Sequence, residues 1–136
     1  MKKEPPPTPE PKPFPDGEHM RDSVQSETSL FRFSGLTFNA HKIHINRDWC
    51  HTREGHRNLV VHGPFGLIGM LDLYRDTQAS ENPESMPKMM SYRAQSPLYV
   101  DEQYRVLLNK GDGEGKWKTE IYDSFGKVAS KGTIVQ

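Results

Sequence analysis

The chain has one cysteine, Cys50, which excludes an intramolecular disulfide and a multi-cysteine zinc site. No apolar run approaches the ~20 residues needed to span a bilayer. Net charge is also missing, since 18 Lys and Arg balance 18 Asp and Glu across 136 residues. No global basic field therefore exists to recruit nucleic acid or an anionic membrane, and neither is expected as a partner. Apolar residues make up only 33% of the chain, a low share for a folded domain. Part of that deficit belongs to one end: seven of the eleven prolines lie between Pro5 and Pro15. Collagen, coiled coil, membrane-spanning protein and disulfide-stapled domain are all excluded.

What remains is a polar head followed by a domain-sized stretch. Residues 1–20 read MKKEPPPTPEPKPFPDGEHM, without the apolar core of a secretory signal or the Arg-rich, acid-poor character of a transit peptide. Prolines with fixed φ and no amide hydrogen predict an extended, solvated segment, so residues 1–25 are expected to form a disordered Pro-rich tail. Residues 29–136 are expected to fold as one domain. An intracellular location is expected, with the choice between mitochondrial and cytoplasmic left open.

From Ser29 the pattern changes. Leu30, Phe31, Phe33, Leu36 and Phe38 are interleaved with polar residues, which predicts a strand over Ser29–Ser34. Asn39 to Asn46 alternates around His41, Ile43, His44 and Ile45, as an extended run would, and Asp48 to Arg53 suits one helical turn. Pro64 suits the first turn of a helix, and the segment to Tyr74 is apolar nearly all round, which predicts a buried helix. Gly66 and Gly69 lower helix propensity there, so close approach of the helix to a sheet or a ligand is their expected role. A polar loop over Gln78–Met86 follows. Four strand-like runs then appear, Lys88–Pro97, Gln103–Asn109, Lys116–Asp123 and Lys127–Val135, with turn residues between them. One antiparallel sheet wrapped around one central buried helix is the economical α+β arrangement.

Two blocks carry a resemblance: Phe31-Arg-Phe-Ser-Gly-Leu-Thr-Phe-Asn-Ala-His-Lys-Ile-His-Ile45, then Arg53-Glu-Gly-His-Arg-Asn-Leu-Val-Val-His-Gly-Pro64. In type, order and spacing they resemble the MaoC-like hydratases of the hot dog fold. The nearest likeness is to fungal type 2 hydroxyacyl-thioester dehydratases and mesaconyl-CoA hydratase-like proteins. The resemblance covers the stretch from about Ser29 to Val135 and implies a single hot dog domain, like the second unit of a double hot dog chain. It implies reversible addition of water to a trans-2-enoyl thioester, giving a (3R)-3-hydroxyacyl thioester, with acyl-CoA or acyl-carrier protein as substrate and no metal or redox cofactor. It also implies a homodimer or pairing with another hot dog unit.

The family motif places an acid five residues before a histidine. Here those positions hold Asn39 and His44. Imidazole titrates near neutrality, so His44 is the expected acid/base; Asn39 can orient a water or hydroxyl but cannot take a proton. The resemblance carries the role of carbonyl-polarising amide to Gly63, before the buried helix whose first amides are unsatisfied. Arg53, Arg57 and Arg93 are candidates for the phosphates of CoA or the phosphopantetheine of a carrier, with solvated surface charge as the alternative reading. The six histidines lack the ligand set of a zinc site, and Gly111, Gly113 and Gly115 read as a flexible hairpin. Two other functions compete: a thioester-binding or subunit-interaction half without turnover, and a hot dog thioesterase using Asp48 or Glu54.

Overall fold

The structure, a computed structural model, describes residues 4–80, 82 and 84–136. Five strands form one antiparallel sheet: β1 (His19–Ser23), β2 (Met89–Ala94), β3 (Tyr104–Lys110), β4 (Lys116–Asp123) and β5 (Val128–Val135). Their order is β1-β3-β4-β5-β2, so β1 and β2 are the edges. β4 shows why the alternation is legible: Trp117, Thr119, Ile121 and Asp123 are buried while Lys116 and Lys118 are exposed, as a period of two demands. Against this sheet lies a helix over Gly63–Tyr74 that buries Gly66, Met70, Leu73 and Tyr74 at spacings of three and four. A Cβ at Gly66 would meet Ile121 Cδ1 at 3.1 Å, and one at Gly69 would meet Val106 at 3.8 Å. Gly66 thus serves close approach of helix to sheet, whereas a Cβ at Gly69 would make only an ordinary contact; the arrangement is the α+β one expected, a hot dog with its helix against the sheet.

Two expected elements are corrected. Ser29–Ser34 is not a strand but part of a helix, α1 (Glu27–Leu36). Ser26 caps it by accepting from the Ser29 amide at 3.1 Å, and Glu27 sits in the first turn where negative charge is favoured. Its inward residues are Leu30 and Ser34, one turn apart; Phe31 and Leu36, which made the sequence look strand-like, face outward. The helix closes with the Asn39 amide on the Ser34 carbonyl and the Phe38 amide on the Gly35 carbonyl, a Schellman pair. Phe38, at φ 53°, takes the left-handed position that glycine usually fills. The run around His41 and His44 is likewise not extended: Lys42–His44 is a 3-10 turn, followed by a short helix α2 (Arg47–Trp49) that widens into a π turn over Cys50–Glu54. The helix at Gly63–Tyr74 is therefore α3, and it too runs into a π turn, Arg75–Ala79, occupying the start of the expected polar loop.

A third correction concerns the head of the chain. The segment expected as a disordered tail, residues 1–25, contains β1, whose five residues pair in register with Tyr104–Leu108 of β3. Arg105 clamps it, with Nε and Nη2 on the two carboxylate oxygens of Asp22 at 2.6 and 3.0 Å. Further out, the Phe14 ring lies 5.0 Å from the Arg105 guanidinium and the Lys12 amide donates to the Ser124 carbonyl at 2.8 Å. Gly17 comes close enough to Leu107 that an added Cβ would stand 3.3 Å from it, which explains why Leu107 is buried on the outer face. The first three residues of that segment, and Glu81 and Pro83 of the loop, lie outside the described residues.

Removing residues 1–10 should leave the melting temperature unchanged. Removing residues 1–25 deletes β1, whose ladder bonds are each worth ~1 kcal/mol net, and should lower the melting temperature by about 10 °C or more. Thermal unfolding of the two truncations followed by circular dichroism checks this; equal melting temperatures would show that β1 contributes nothing to the fold.

Candidate active site

The site begins with the end of α1. Asn39, delivered by the Schellman cap, accepts the His41 amide on its Oδ1 at 3.1 Å, and His41 Nδ1 accepts the Ile43 amide at 3.3 Å. These local bonds wind the 3-10 turn and turn the His44 ring inward, where it is 7% exposed. The Val60 peptide fixes it from the other side: its amide donates to the Ile43 carbonyl at 2.9 Å, and its carbonyl accepts from His44 Nδ1 at 2.6 Å. A carbonyl can only accept, so Nδ1 carries the hydrogen and Nε2 of the neutral ring is left as a lone pair. Burial holds His44 below the usual histidine value, opposed by the Val60 carbonyl and assisted by the charge of His41.

Face to face with His44, at 3.7 Å and 17° between planes, lies His62. It is 1% exposed; its Nε2 is paired with Ser34 Oγ at 2.8 Å and its Nδ1 has no partner among the described residues. Burial, and secondarily the neighbouring His44, push its pKa down to about 4. His62 is also the residue before α3, so the same stretch that stacks on His44 opens the helix. Pro64 has no amide hydrogen and the Phe65 amide is taken by the His62 carbonyl at 3.0 Å. Of the three amides of the first turn, Gly63 is thus the donor left over. Its carbonyl is pinned by the Tyr92 hydroxyl at 2.9 Å, and that hydroxyl also meets Ser130 Oγ at 3.3 Å.

His44, His62, Gly63, Tyr92 and Ser130 line one cleft of about 430 Å³, closed on its apolar side by Val61 and Leu98. His44 also borders a second groove, with Glu27, Thr28, Phe31 and Ile45. That groove shares Phe31 and Ile45 with an adjoining apolar hollow, which holds Asn39 and Phe38. His44 therefore stands between the sheet-side cleft and the outer face of α1, and Asn39 stands on the α1 side only. The outer face is uncovered: Phe38 is 96% exposed and Phe31 69%, with Leu36 and Ile45 beside them.

The arginines are placed differently from the expectation. Arg57 is half-buried in a two-pronged ion pair with Glu102, at 2.8 and 2.6 Å, and its guanidinium lies 4.0 Å from the Tyr99 ring; its Nε–Nη2 edge is spent on the fold. Arg93 is exposed in β2, but Tyr92 and Ala94 line the cleft, so Arg93 faces the opposite side of the sheet. Arg53 is exposed and 6.0 Å from the Trp49 ring. Glu54, the alternative carboxylate, accepts from Trp49 Nε1 at 3.1 Å on the surface. Among the described residues no three His, Cys, Asp or Glu side chains gather around a point where a metal ion would sit. Sequence reasoning missed Ser34 and Tyr92 as site residues and saw His62 only as part of a turn. A helical reading of Glu27–Leu36 would have turned Ser34 inward with Leu30.

Comparison with known proteins gives a family and a fold. The family model described as hydroxyacyl-thioester dehydratase type 2 matches residues 1–100. A mesaconyl-C(4)-CoA hydratase of Chloroflexus aurantiacus is 40% identical over 88 residues, 64% of this chain and 29% of the relative. A mitochondrial hydroxyacyl-thioester dehydratase type 2 of Schizosaccharomyces pombe is 35% identical over 83 residues, 60% of this chain and 26% of the relative. The chain thus spans under a third of the length of these two curated relatives. The fold is also that of a C-terminally truncated HadBC (3R-hydroxyacyl-ACP dehydratase) complex from Mycobacterium tuberculosis, with TM-score 0.66 at 11% identity over 84% of this chain and 88% of that one.

His62 has a folded pKa of about 4 against an ordinary 6.5. Between these values the unfolded chain takes up a proton that the folded chain refuses, so stability is full above pH 6.5 and declines toward pH 4, by up to about 3 kcal/mol. His44 shifts the same way and steepens the decline. The melting temperature should fall as pH drops from 6.5 to 4, and His62→Phe should flatten that slope; a slope identical in the variant would contradict the placement of His62.

Proposed function

We propose, from the premise that this chain belongs to the hydroxyacyl-thioester dehydratase type 2 family, that it is a hydro-lyase for acyl thioesters. In this reading it interconverts a 3-hydroxyacyl-CoA or carrier-bound 3-hydroxyacyl thioester and the trans-2-enoyl thioester, with the (3R) hand. One observation carries the reading: a neutral imidazole with a free Nε2 and the spare amide of a helix N-terminus border the same cleft.

The chemistry needs one proton moved at the acyl chain and one oxygen stabilised. In hydration, His44 Nε2 takes a proton from water as the oxygen adds to Cβ. The electron pair of the double bond passes to the thioester carbonyl, and the proton returns to Cα. The Gly63 amide, with the positive end of α3 behind it, stabilises the enolate oxygen. Tyr92 and Ser130 hold the Gly63–Pro64 peptide steady on its carbonyl side. Asn39 has its Oδ1 committed to the turn, so its part is to hold the turn that carries His44, leaving its NH₂ to orient a water or hydroxyl. The half of the reaction that a carboxylate performs elsewhere in the family falls here to His44 alone.

A second reading has specific support. The chain spans under a third of its two curated relatives, α1 presents an uncovered apolar face beside His44, and β2 is an open sheet edge. Exposed edges and apolar faces of this kind are what pairing covers. We therefore propose pairing with a second hot dog unit, either another copy or a separate chain, that closes the α1 side of the site. If the lone unit does not turn over, it is the thioester-binding half of such a pair. No helix of the described residues is long and apolar enough to cross a membrane. For compartment the support is the Schizosaccharomyces pombe relative, named mitochondrial; a mitochondrial location is proposed on that ground, with the cytoplasm as the alternative that localisation of a tagged chain distinguishes.

Incubation of the purified chain with crotonyl-CoA, with products identified by mass, tests the function: a hydroxyacyl/enoyl pair supports the hydro-lyase, free CoA thiol indicates a thioesterase, and no change indicates the binding half. His44→Ala should lower turnover by about 10²–10⁴-fold with the fold intact. Asn39→Ala should cost less. Asn39→Asp keeps an oxygen for the His41 amide and adds a carboxylate, so it should retain or raise the rate. A folded His44→Ala chain with unchanged rate would remove the mechanism.

A further inference from the structure

His62 has no part in the proton transfers above, yet it is among the most buried polar side chains of the domain and touches the proposed base. We propose that His62 is a positioning residue, a buried aromatic plate that fixes the plane of the His44 ring and ties it, through Ser34, to α1.

Three contacts define the plate. Its face lies on His44 at 3.7 Å and 17°. Its edge is anchored by Nε2 on the Ser34 hydroxyl at 2.8 Å, from the inward face of α1. On another side the Phe33 ring meets it edge-on at 4.8 Å and 63°, and Phe65 stands 4.7 Å behind Phe33. His62 is thus wedged between α1 and the start of α3, and it cannot rotate without breaking the Ser34 bond and displacing Phe33.

The contacts also dictate its charge. No carboxylate touches the ring, and Nδ1 has no acceptor among the described residues. An imidazolium would be an unpaired buried charge, which is costly, and it would face the ring of the proposed base. The groups facing His44 itself are His62, His41 at 6.0 Å, and Glu27 across the outer groove, the last paired with Arg47 at 3.1 Å. Among the described residues no free carboxylate stands against either imidazole. A neutral plate is what the position tolerates, and it leaves the Val60 carbonyl as the single strong partner of His44. One bond fixes an axis but not a plane: His44 can pivot about the Nδ1–H···O line. Stacking removes that pivot, so Nε2 is held at one place on the cleft wall. Displacement of a reacting group by ~1 Å costs on the order of 10²-fold in rate.

This inference rests on the role proposed for His44, and the test separates the two. Three full-length variants are compared with wild type: His62→Phe, which keeps the plate; His62→Leu, which keeps bulk without a plane; and Ser34→Ala, which removes the anchor. The readouts are kcat and KM for crotonyl-CoA and the ¹⁵N signals of the His44 imidazole. His62→Leu should lower kcat by about 10- to 100-fold with KM nearly unchanged, and should broaden the His44 ring ¹⁵N signals through exchange between ring orientations, with the hydrogen staying on Nδ1. His62→Phe should restore most of kcat and the unbroadened signals. A folded His62→Leu chain with wild-type kcat and unbroadened His44 signals overturns the proposal. Should His62→Leu fail to fold, Ser34→Ala decides: exchange at His44 supports the plate, and a wild-type His44 spectrum contradicts it. If wild type turns over no crotonyl-CoA, the hydro-lyase reading fails, while the spectra still decide whether His62 positions His44.

Discussion

The hydrogen bond from His44 Nδ1 to the Val60 carbonyl is the constraint on which the rest of the site depends. It selects the tautomer, and the tautomer leaves Nε2 as the lone pair that the proposed function uses as a base. Val60 can do this because it is itself held in place. Its amide is on the Ile43 carbonyl, its neighbours Leu59 and Val61 exchange backbone bonds with Val100 and Leu98, and Val60 bridges Tyr99 as a strand would. Arg57 and Glu102, tied across the same two segments, brace them from outside. A guanidinium that sequence reasoning offered to a phosphate is therefore part of the frame holding the base.

The second half of the site comes from how α3 starts. A proline at its second residue removes one amide, and a glycine at its first leaves another without a partner among the described residues. Gly66 then allows the helix to approach Ile121, so the same short segment sets the depth of the helix against the sheet and the position of the spare donor. The carbonyl that fixes His44 and the spare donor belong to neighbouring stretches, 59–62 and 63–66, and the packing of α3 carries both. A substitution that lifts α3 from the sheet should disturb both groups together.

How much of this could be read from the residues depends on what stabilises each part. β3, β4 and β5 were legible because burial on one face writes itself as alternation, as in Lys116–Asp123. The buried helix was legible from its apolar run after Pro64. α1 was not, because its aromatic residues alternate by accident of exposure: Phe31 and Phe38 face outward, and a serine is one of its two inward positions. β1 was invisible because His19-Met-Arg-Asp-Ser23 has no β-branched residue; it is held by backbone pairing and by one arginine 83 residues later. His44 and Gly63 were singled out by the family resemblance, and both line one cleft. The stack with His62 was not legible, since face-to-face contact over 18 residues of chain leaves no local pattern. Asn39 stood at a motif position, yet the structure spends its oxygen on the turn and places it on the α1 side.

The account's central claim is that a buried, neutral His44 takes and returns the proton. The most direct measurement is the pH dependence of kcat/KM for crotonyl-CoA hydration, which reports the ionisation of the free enzyme's base. Burial places His44 below the ordinary histidine value of 6.5, so the rate should be flat from pH 8 down past 6.5 and fall with a single proton only below it. An acid limb centred at or above 6.5, or one that persists unchanged in a folded His44→Gln chain, would contradict the account.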